Sequence, residues 1–291
     1  MGQFTVVLTS CRPPAAAGAA LRALKPQCLR RGVELVVARA WSSDSPEVVE
    51  LRDGCRVVRC VPDARRTELR GRGLAAADTE WVAVTEDTCV ADSDWLAQLM
   101  AAANSDTDVL GGAIAVRSPA DQMAWGAFFS EYGFYAGTGR RRLDPASPAV
   151  AMASVAYRNS VAARVAARSL SGEWEDVIHR ELAGCGARFG LAPNARVRFN
   201  YSGDAGAFCL DRFEHGRAYA ARRGASVSAT ARALLALRTP ALPVVLAGRL
   251  ARLAGRDGAG RFVAALPGTL LFLSAWSAGE AAGYLGEGST A

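Results

Sequence analysis

Two pairs of adjacent acids are the residues best placed to do chemistry: Glu86-Asp87 and Glu175-Asp176. The first pair ends an apolar run, Trp81-Val82-Ala83-Val84-Thr85, which has strand length and β-branched residues. Carboxylates at a strand end are costly unless water, a cation or a metal meets them. The carboxyl edge of an open α/β sheet is also where ligands bind. The plainer account is a solvated turn opening a helix, with Asp92 or Ser93 as its cap. The second pair follows Gly172-Glu173-Trp174 and opens a helix expected to run to about Gly186. Acids in a first turn favour the helix dipole by roughly a few tenths of a kcal/mol each. That effect alone would account for them.

The elements that must position these acids read as alternating strands and helices. Phe4–Thr9 is a first strand, followed by a helix over about 15–31 that Gly32 breaks. Val33–Ala38 is a second strand, then a loop Trp41–Pro46 and a short helix Glu47–Leu51. Cys55–Val61 is a third strand, Asp63 caps a helix over 65–77, and Trp81–Thr85 is the fourth strand. Such alternation predicts a parallel sheet with right-handed crossovers. No G-x-G-x-x-G follows the first strand and no G-x-x-x-x-G-K-[ST] occurs, which argues against dinucleotide oxidoreductases and P-loop enzymes.

Further on, a helix is expected over Asp92–Asn104, a strand over Asp108–Val116, an aromatic-rich segment over Asp121–Tyr135 and a polar loop over Gly137–Pro148. Val150–Tyr157 reads as a strand, and Arg188–Ala192 and Arg196–Phe199 as two short strands split by Pro193-Asn194. Helix returns from Asp204. From Ala229 the chain turns apolar, with runs at Pro240–Leu250 and Phe262–Ala278. Each run is shorter than the ~20 residues of a clean membrane span. Arg249, Arg252, Arg256 and Arg261 flank them, so interfacial helices fit better than a span. A helical layer packed on protein is the competing account.

The totals narrow the class. With 291 residues and 51% hydrophobic residues, the chain can bury a large core. Arginine supplies nearly all the positive charge, Lys25 being the only lysine. From Arg212 to Arg261 stand ten arginines against Glu214 and Asp257, with Asp211 just before. A basic, apolar region of this kind suggests an anionic surface. Seven cysteines with no CxxC, and two histidines, argue against a zinc site or disulfide framework. No charged segment precedes an apolar run at the N-terminus, so the expected location is cytoplasmic.

In order and spacing, these segments resemble the family 2 glycosyltransferases and their GT-A fold. Phe4–Thr9 is similar to the first, nucleotide-pocket strand, with Thr9 and Ser10 at its end. Val33–Ala38 with Ser42-Ser43-Asp44 is similar to the second strand and its acidic loop. Arg70-Gly71-Arg72-Gly73-Leu74-Ala75-Ala76-Ala77 resembles the family's Arg-Asn-x-Gly-Leu-x-x-Ala helix end. Glu86-Asp87-Thr88 stands where the family has its DxD motif, with Trp95-Leu96 at the expected distance. Ala153–Arg158 is similar to the acceptor-side strand, Trp174-Glu175-Asp176 to the motif supplying the catalytic base, and Phe208–Arg223 to the arginine-bearing segment after the core.

The resemblance implies a mixed, mainly parallel GT-A sheet flanked by helices over residues 1–225. A helical C-terminal region over 226–291 would follow, associating with a membrane or dimerising. It implies an inverting transfer of a sugar from a nucleotide-diphosphate donor to an acceptor hydroxyl, with no nucleic-acid partner. Donor binding would fall to Thr9, Ser10, Asp44, Arg70, Glu86, Asp87, Arg212 and Arg217, and the base to Glu175 or Asp176. Glu86 and Asp87 would hold a divalent cation, Mg²⁺ or Mn²⁺, against the growing pyrophosphate charge. An anionic membrane surface and a homodimer through the C-terminal helices are the partner expectations, with the chain peripheral on the inner membrane face. Three positions depart from the family: Arg39-Ala40 replaces its Asp-Asp, Thr88 its second DxD acid, and Phe199-Asn200 stands where relatives place a metal-binding histidine. A non-catalytic GT-A-like binding protein and a nucleotidyltransferase are the rival readings.

Overall fold

The computed structural model describes residues 3–11, 14–40, 54–135, 143 and 148–286. They form β1 (Phe4–Ser10), α1 (Pro14–Arg31), β2 (Glu34–Arg39), β3 (Cys55–Arg59), α2 (Arg66–Ala75), β4 (Trp81–Glu86), β5 (Cys89–Ala91) and α3 (Trp95–Ala102). There follow β6 (Val109–Val116), α4 (Gln122–Tyr132), β7 (Ser154–Arg158), α5 (Asn159–Leu170), α6 (Glu175–Gly184) and β8 (Phe189–Phe199). The chain closes with α7 (Ala205–Gly224), α8 (Ala229–Arg238) and the long α9 (Leu242–Leu285), interrupted at Gly255, whose φ is 64°. The short helix expected at Glu47–Leu51 lies outside the described residues.

The chain divides into two compact units. One holds residues 1–115 and 137–200, the other 116–136 and 201–291. The second unit thus takes in 116–136 and 201–225 as well as the apolar tail.

The first unit is built on an eight-stranded sheet ordered β3-β2-β1-β4-β7-β6-β8-β5. β1 to β4 pair in parallel, with Leu8 opposite both Val37 and Thr85. β7 enters antiparallel to β4 and to β6, so β6 points the same way as the first four strands. The sheet is therefore mixed, with β1 to β4 and β6 all running one way and β7 against them. Strands covered on both faces favour apolar runs, and β1 and β4, buried along their whole length, have them in Val6-Val7-Leu8 and Trp81–Val84.

The strand Val150–Tyr157 is shifted to Ser154–Arg158, and the two short strands around Pro193-Asn194 are one, β8. The helix expected over Asp92–Asn104 starts only at Trp95, after Asp94. Asp92 does not cap it. Its two carboxylate oxygens meet Arg198 Nε and Nη2 at 2.5 and 3.0 Å, tying the end of β5 to β8. Trp95 is fully buried and donates from Nε1 to Ser154 Oγ at 3.0 Å. The spacing of Trp95 from Glu86 is thus set by packing against β7.

The second unit is helical. α9 packs on α4 and α7, and the seam with α7 is closed by glycine: a Cβ on Gly216 would meet the Trp276 carbonyl, and one on Gly279 the Phe213 carbonyl. Phe129 meets Phe262 edge-on at 5.1 Å between centroids, so the aromatic residues of α4 pack against α9 as core.

Candidate active site

Because β1, β2 and β4 run parallel, their carboxyl ends share one edge. Thr9 lies beside Glu86, and Ser10 beside Arg39. At that edge Thr9 Oγ1 donates to the Thr85 carbonyl at 3.3 Å, and Ser10 Oγ donates to Asp87 Oδ2 at 3.0 Å. The Asp87 N–H donates to the Thr9 carbonyl at 3.1 Å. Glu86, Asp87 and Thr88 are all buried, so the first acidic pair is no solvated turn.

Burying carboxylates requires a cation, and α2 supplies it. Arg70, buried and 2% exposed, reaches Glu86 Oε1 from Nη2 at 3.1 Å. Its Nη1 lies 3.7 Å from Glu175 Oε2 at the start of α6. Arg66, one turn earlier on α2, lies 3.8 Å from Glu86 Oε2. Burial works against the Arg70 charge, but Glu175 and Glu86 outweigh it and hold the guanidinium above its ordinary range. Burial pushes the Glu175 carboxyl up, with Arg70 opposing and Glu86 adding to the rise. One guanidinium thus joins the two acidic sites.

The neighbouring acid behaves differently. One step along a helix turns a side chain by about 100°. Asp176 accordingly faces outward and pairs with Arg180, at 3.0 Å and four residues on.

Beneath Arg70 lies a contact that the sequence did not flag. Tyr157 and His179, both buried, join through Oη and Nε2 at 2.7 Å. Burial first, and then the Arg70 charge, push the His179 pKa down to about 3, against a hydrogen bond to the Val150 backbone that raises it. With Nδ1 turned to that carbonyl, the neutral ring accepts from the Tyr157 hydroxyl at Nε2. Because the folded pKa lies below the ordinary 6.5, the unfolded chain binds the proton more readily between those values. The His179 contribution is therefore whole above about pH 6.5 and declines as pH falls towards 3. In chemical denaturation, the stability gap between the parent chain and His179→Gln should shrink over that range.

The remaining expected residues are placed as follows. Asp44 lies outside the described residues. Arg39 is fully buried at the end of β2. The Asn200 N–H donates to the Thr88 carbonyl at 2.8 Å, so pairing of β5 with β8 puts Asn200 beside the acidic edge. Arg212 and Arg217 belong to the second unit. Arg212 lies 3.7 Å from Glu131 and over the Trp276 ring at 4.5 Å. Arg217 is paired with Glu214 on its own helix at 2.6 Å.

Among the described residues, no group of three or more His, Cys, Asp or Glu gathers to hold a metal ion. Asp87 is the carboxylate that fits one: a buried acid at the open end of β4, of a kind that binds Mg²⁺ together with substrate phosphates and water. Glu86 fits less well, since its oxygens face Arg70 and Arg66.

No protein-family model matches the chain, and neither does any curated protein. Solved structures do. The chain aligns over 92% of its length, and 87% of the other, with mannosyltransferase PcManGT from Pyrobaculum calidifontis in complex with GDP-Man and Mn²⁺, at 17% identity and a TM-score of 0.50. The fold is GT-A. The chain also matches S. aureus TarS 1-349, at 16% identity and a TM-score of 0.45, over 75% of its own length. A mycobacterial protein matches at 17% identity and 0.37, over 55% of this chain. The chain spans 64% of the former and about half, 54%, of the latter. In the GT-A chain described here, both acidic sites fall in the sheet-bearing unit.

Proposed function

We propose that this protein is a glycosyltransferase that moves a sugar from a nucleotide-diphosphate donor to an acceptor hydroxyl, with inversion at the anomeric carbon. The supporting observation is the junction at Arg70, which brings Glu86 and Glu175 from separate strands and helices to one guanidinium at the carboxyl edge of the sheet. The solved mannosyltransferase of the same fold, captured with GDP-Man and Mn²⁺, favours this reading over a nucleotidyltransferase.

In this scheme Thr9, Ser10 and Asp87 line the donor side, and Asp87 would hold a divalent cation. Such an ion, when bound, offsets the negative charge of the departing diphosphate. On the acceptor side a carboxylate must take the hydroxyl proton as the oxygen attacks the anomeric carbon and the bond to phosphate breaks. Asp176 is assigned that role because it is the open member of its pair. Glu175, turned inward to Arg70, is assigned a positioning role: it fixes the start of α6 and so the place of Asp176.

Isothermal titration with a panel of nucleotide sugars, with and without Mn²⁺, tests the donor side. Binding of one donor, strengthened by Mn²⁺ in the parent chain but not in Asp87→Asn, is the expected result. Folded protein that binds no donor would leave the GT-A fold without this activity.

A further inference from the structure

We propose that the outward face of α8 and α9 lies on an anionic lipid bilayer. The inference rests on the surface of the second unit alone and is independent of the transfer chemistry. α9 is two-sided. Its inner side carries Ala247, Leu250, Phe262 and Phe272, all buried, and packs on α4 and α7. Its outer side also carries apolar residues. Leu237 on α8 is 76% exposed, and Val244 and Val263 on α9 are 71% and 66% exposed. Leu234, Val245 and Leu271 are exposed as well. Between Phe262 and Gly279 no residue carries a charge. A solvent-facing helix side normally carries charges, so a side without them marks a contact surface.

Charge identifies the occupant. Residues 226–279 hold six arginines and a single acid, Asp257. Arg238, Arg249, Arg252 and Arg261 are exposed around the apolar positions. Exposed valine and leucine rimmed by arginine match acyl chains rimmed by phosphate headgroups. A second copy of the chain fits less well, because a two-fold contact would bring this arginine rim against itself. By length and composition Ala229–Gly255 and Gly258–Leu285 could each cross a membrane. The first, however, carries Arg232, Arg238, Arg249 and Arg252 along its length, which a span would place in hydrocarbon. That stretch therefore lies along the surface, and Gly258–Leu285, whose Phe262 and Phe272 are buried against Phe129 and Phe208 of the same unit, lies beside it.

The test is sedimentation of the full chain with vesicles of equal parts phosphatidylglycerol and phosphatidylcholine, against phosphatidylcholine alone. Anionic vesicles should pellet the protein and neutral ones should not, with binding weakened by salt. Arg249→Glu with Arg252→Glu should lower apparent affinity by at least about tenfold. Val244→Asp with Leu237→Asp should abolish binding. All four positions are exposed, and near-ultraviolet circular dichroism should show each variant folded. Failure of the anionic vesicles to bind, or equal binding to both compositions, would overturn the proposal. So would a dimer in light scattering that Val244→Asp dissolves, which would give the face to a second copy.

Discussion

Arg70→Ala is expected to lower the unfolding free energy by about 3–5 kcal/mol, since removing one partner of a buried ion pair leaves the other uncompensated. Here the loss falls on two carboxylates, Glu86 and Glu175, both turned to the same guanidinium. Arg66, 3.8 Å from Glu86, offers that acid partial relief. Arg70→Lys should rescue little. A guanidinium reaches one acid with Nη2 and the other with Nη1, whereas an ammonium is a single point charge. Urea unfolding of Arg70→Ala, Arg70→Lys and the combined Arg70→Met, Glu86→Gln, Glu175→Gln chain separates charge from volume. The combined chain should regain most of the stability, because no buried carboxylate is left unpaired. It should still bind donor poorly, because Glu86 no longer holds the edge. Loss of stability by less than about 1 kcal/mol in Arg70→Ala, the range of exposed pairs, would show that the junction carries little.

Asp176→Asn is expected to reduce kcat by about 10²–10⁴-fold, the usual range for a general base, with donor affinity unchanged. Glu175→Gln should act in the opposite manner. Its amide still packs at the start of α6, so transfer should fall modestly while stability drops by about 1–3 kcal/mol. Single-turnover rates beside donor titrations distinguish these outcomes. A Glu175→Gln chain that binds donor, stays folded and transfers nothing would exchange the two assignments.

The sequence made the acids conspicuous but not their division of labour. Glu86-Asp87 was legible because an apolar strand of β-branched residues ends there, and strand ends in α/β sheets carry sites. The four parallel strands were legible for a related reason: β1 and β4 are buried along their length, and Val6-Val7-Leu8 and Trp81–Val84 give them apolar centres of strand length. Glu175 and Asp176 could not be told apart, because facing inward or outward is decided by how α6 docks. Arg70 appeared as part of a helix-end motif, but its hold on Glu175 is a tertiary contact with no local trace. Asp92 shows the same limit. An acid just before a helix reads as a cap, yet its partner is Arg198, 106 residues away. In β8, Pro193-Asn194 suggested a turn, yet the strand runs through both residues. Tyr157 and His179 gave no signal, since an aromatic residue on a strand and a histidine on a helix face are ordinary core residues.

The order in which the sheet is strung has a consequence for the nascent chain. β4 sits between β1, made long before it, and β7, which is completed only at Arg158. Throughout the synthesis of the intervening residues, β4 has one row of backbone donors and acceptors open, flanked by the apolar side chains of Trp81 to Val84. An open edge of that kind invites pairing with another chain. The sheet is thus closed by insertion, β7 between β4 and β6 and later β8 between β6 and β5. Fragments that stop before β7 should be sticky on the ribosome.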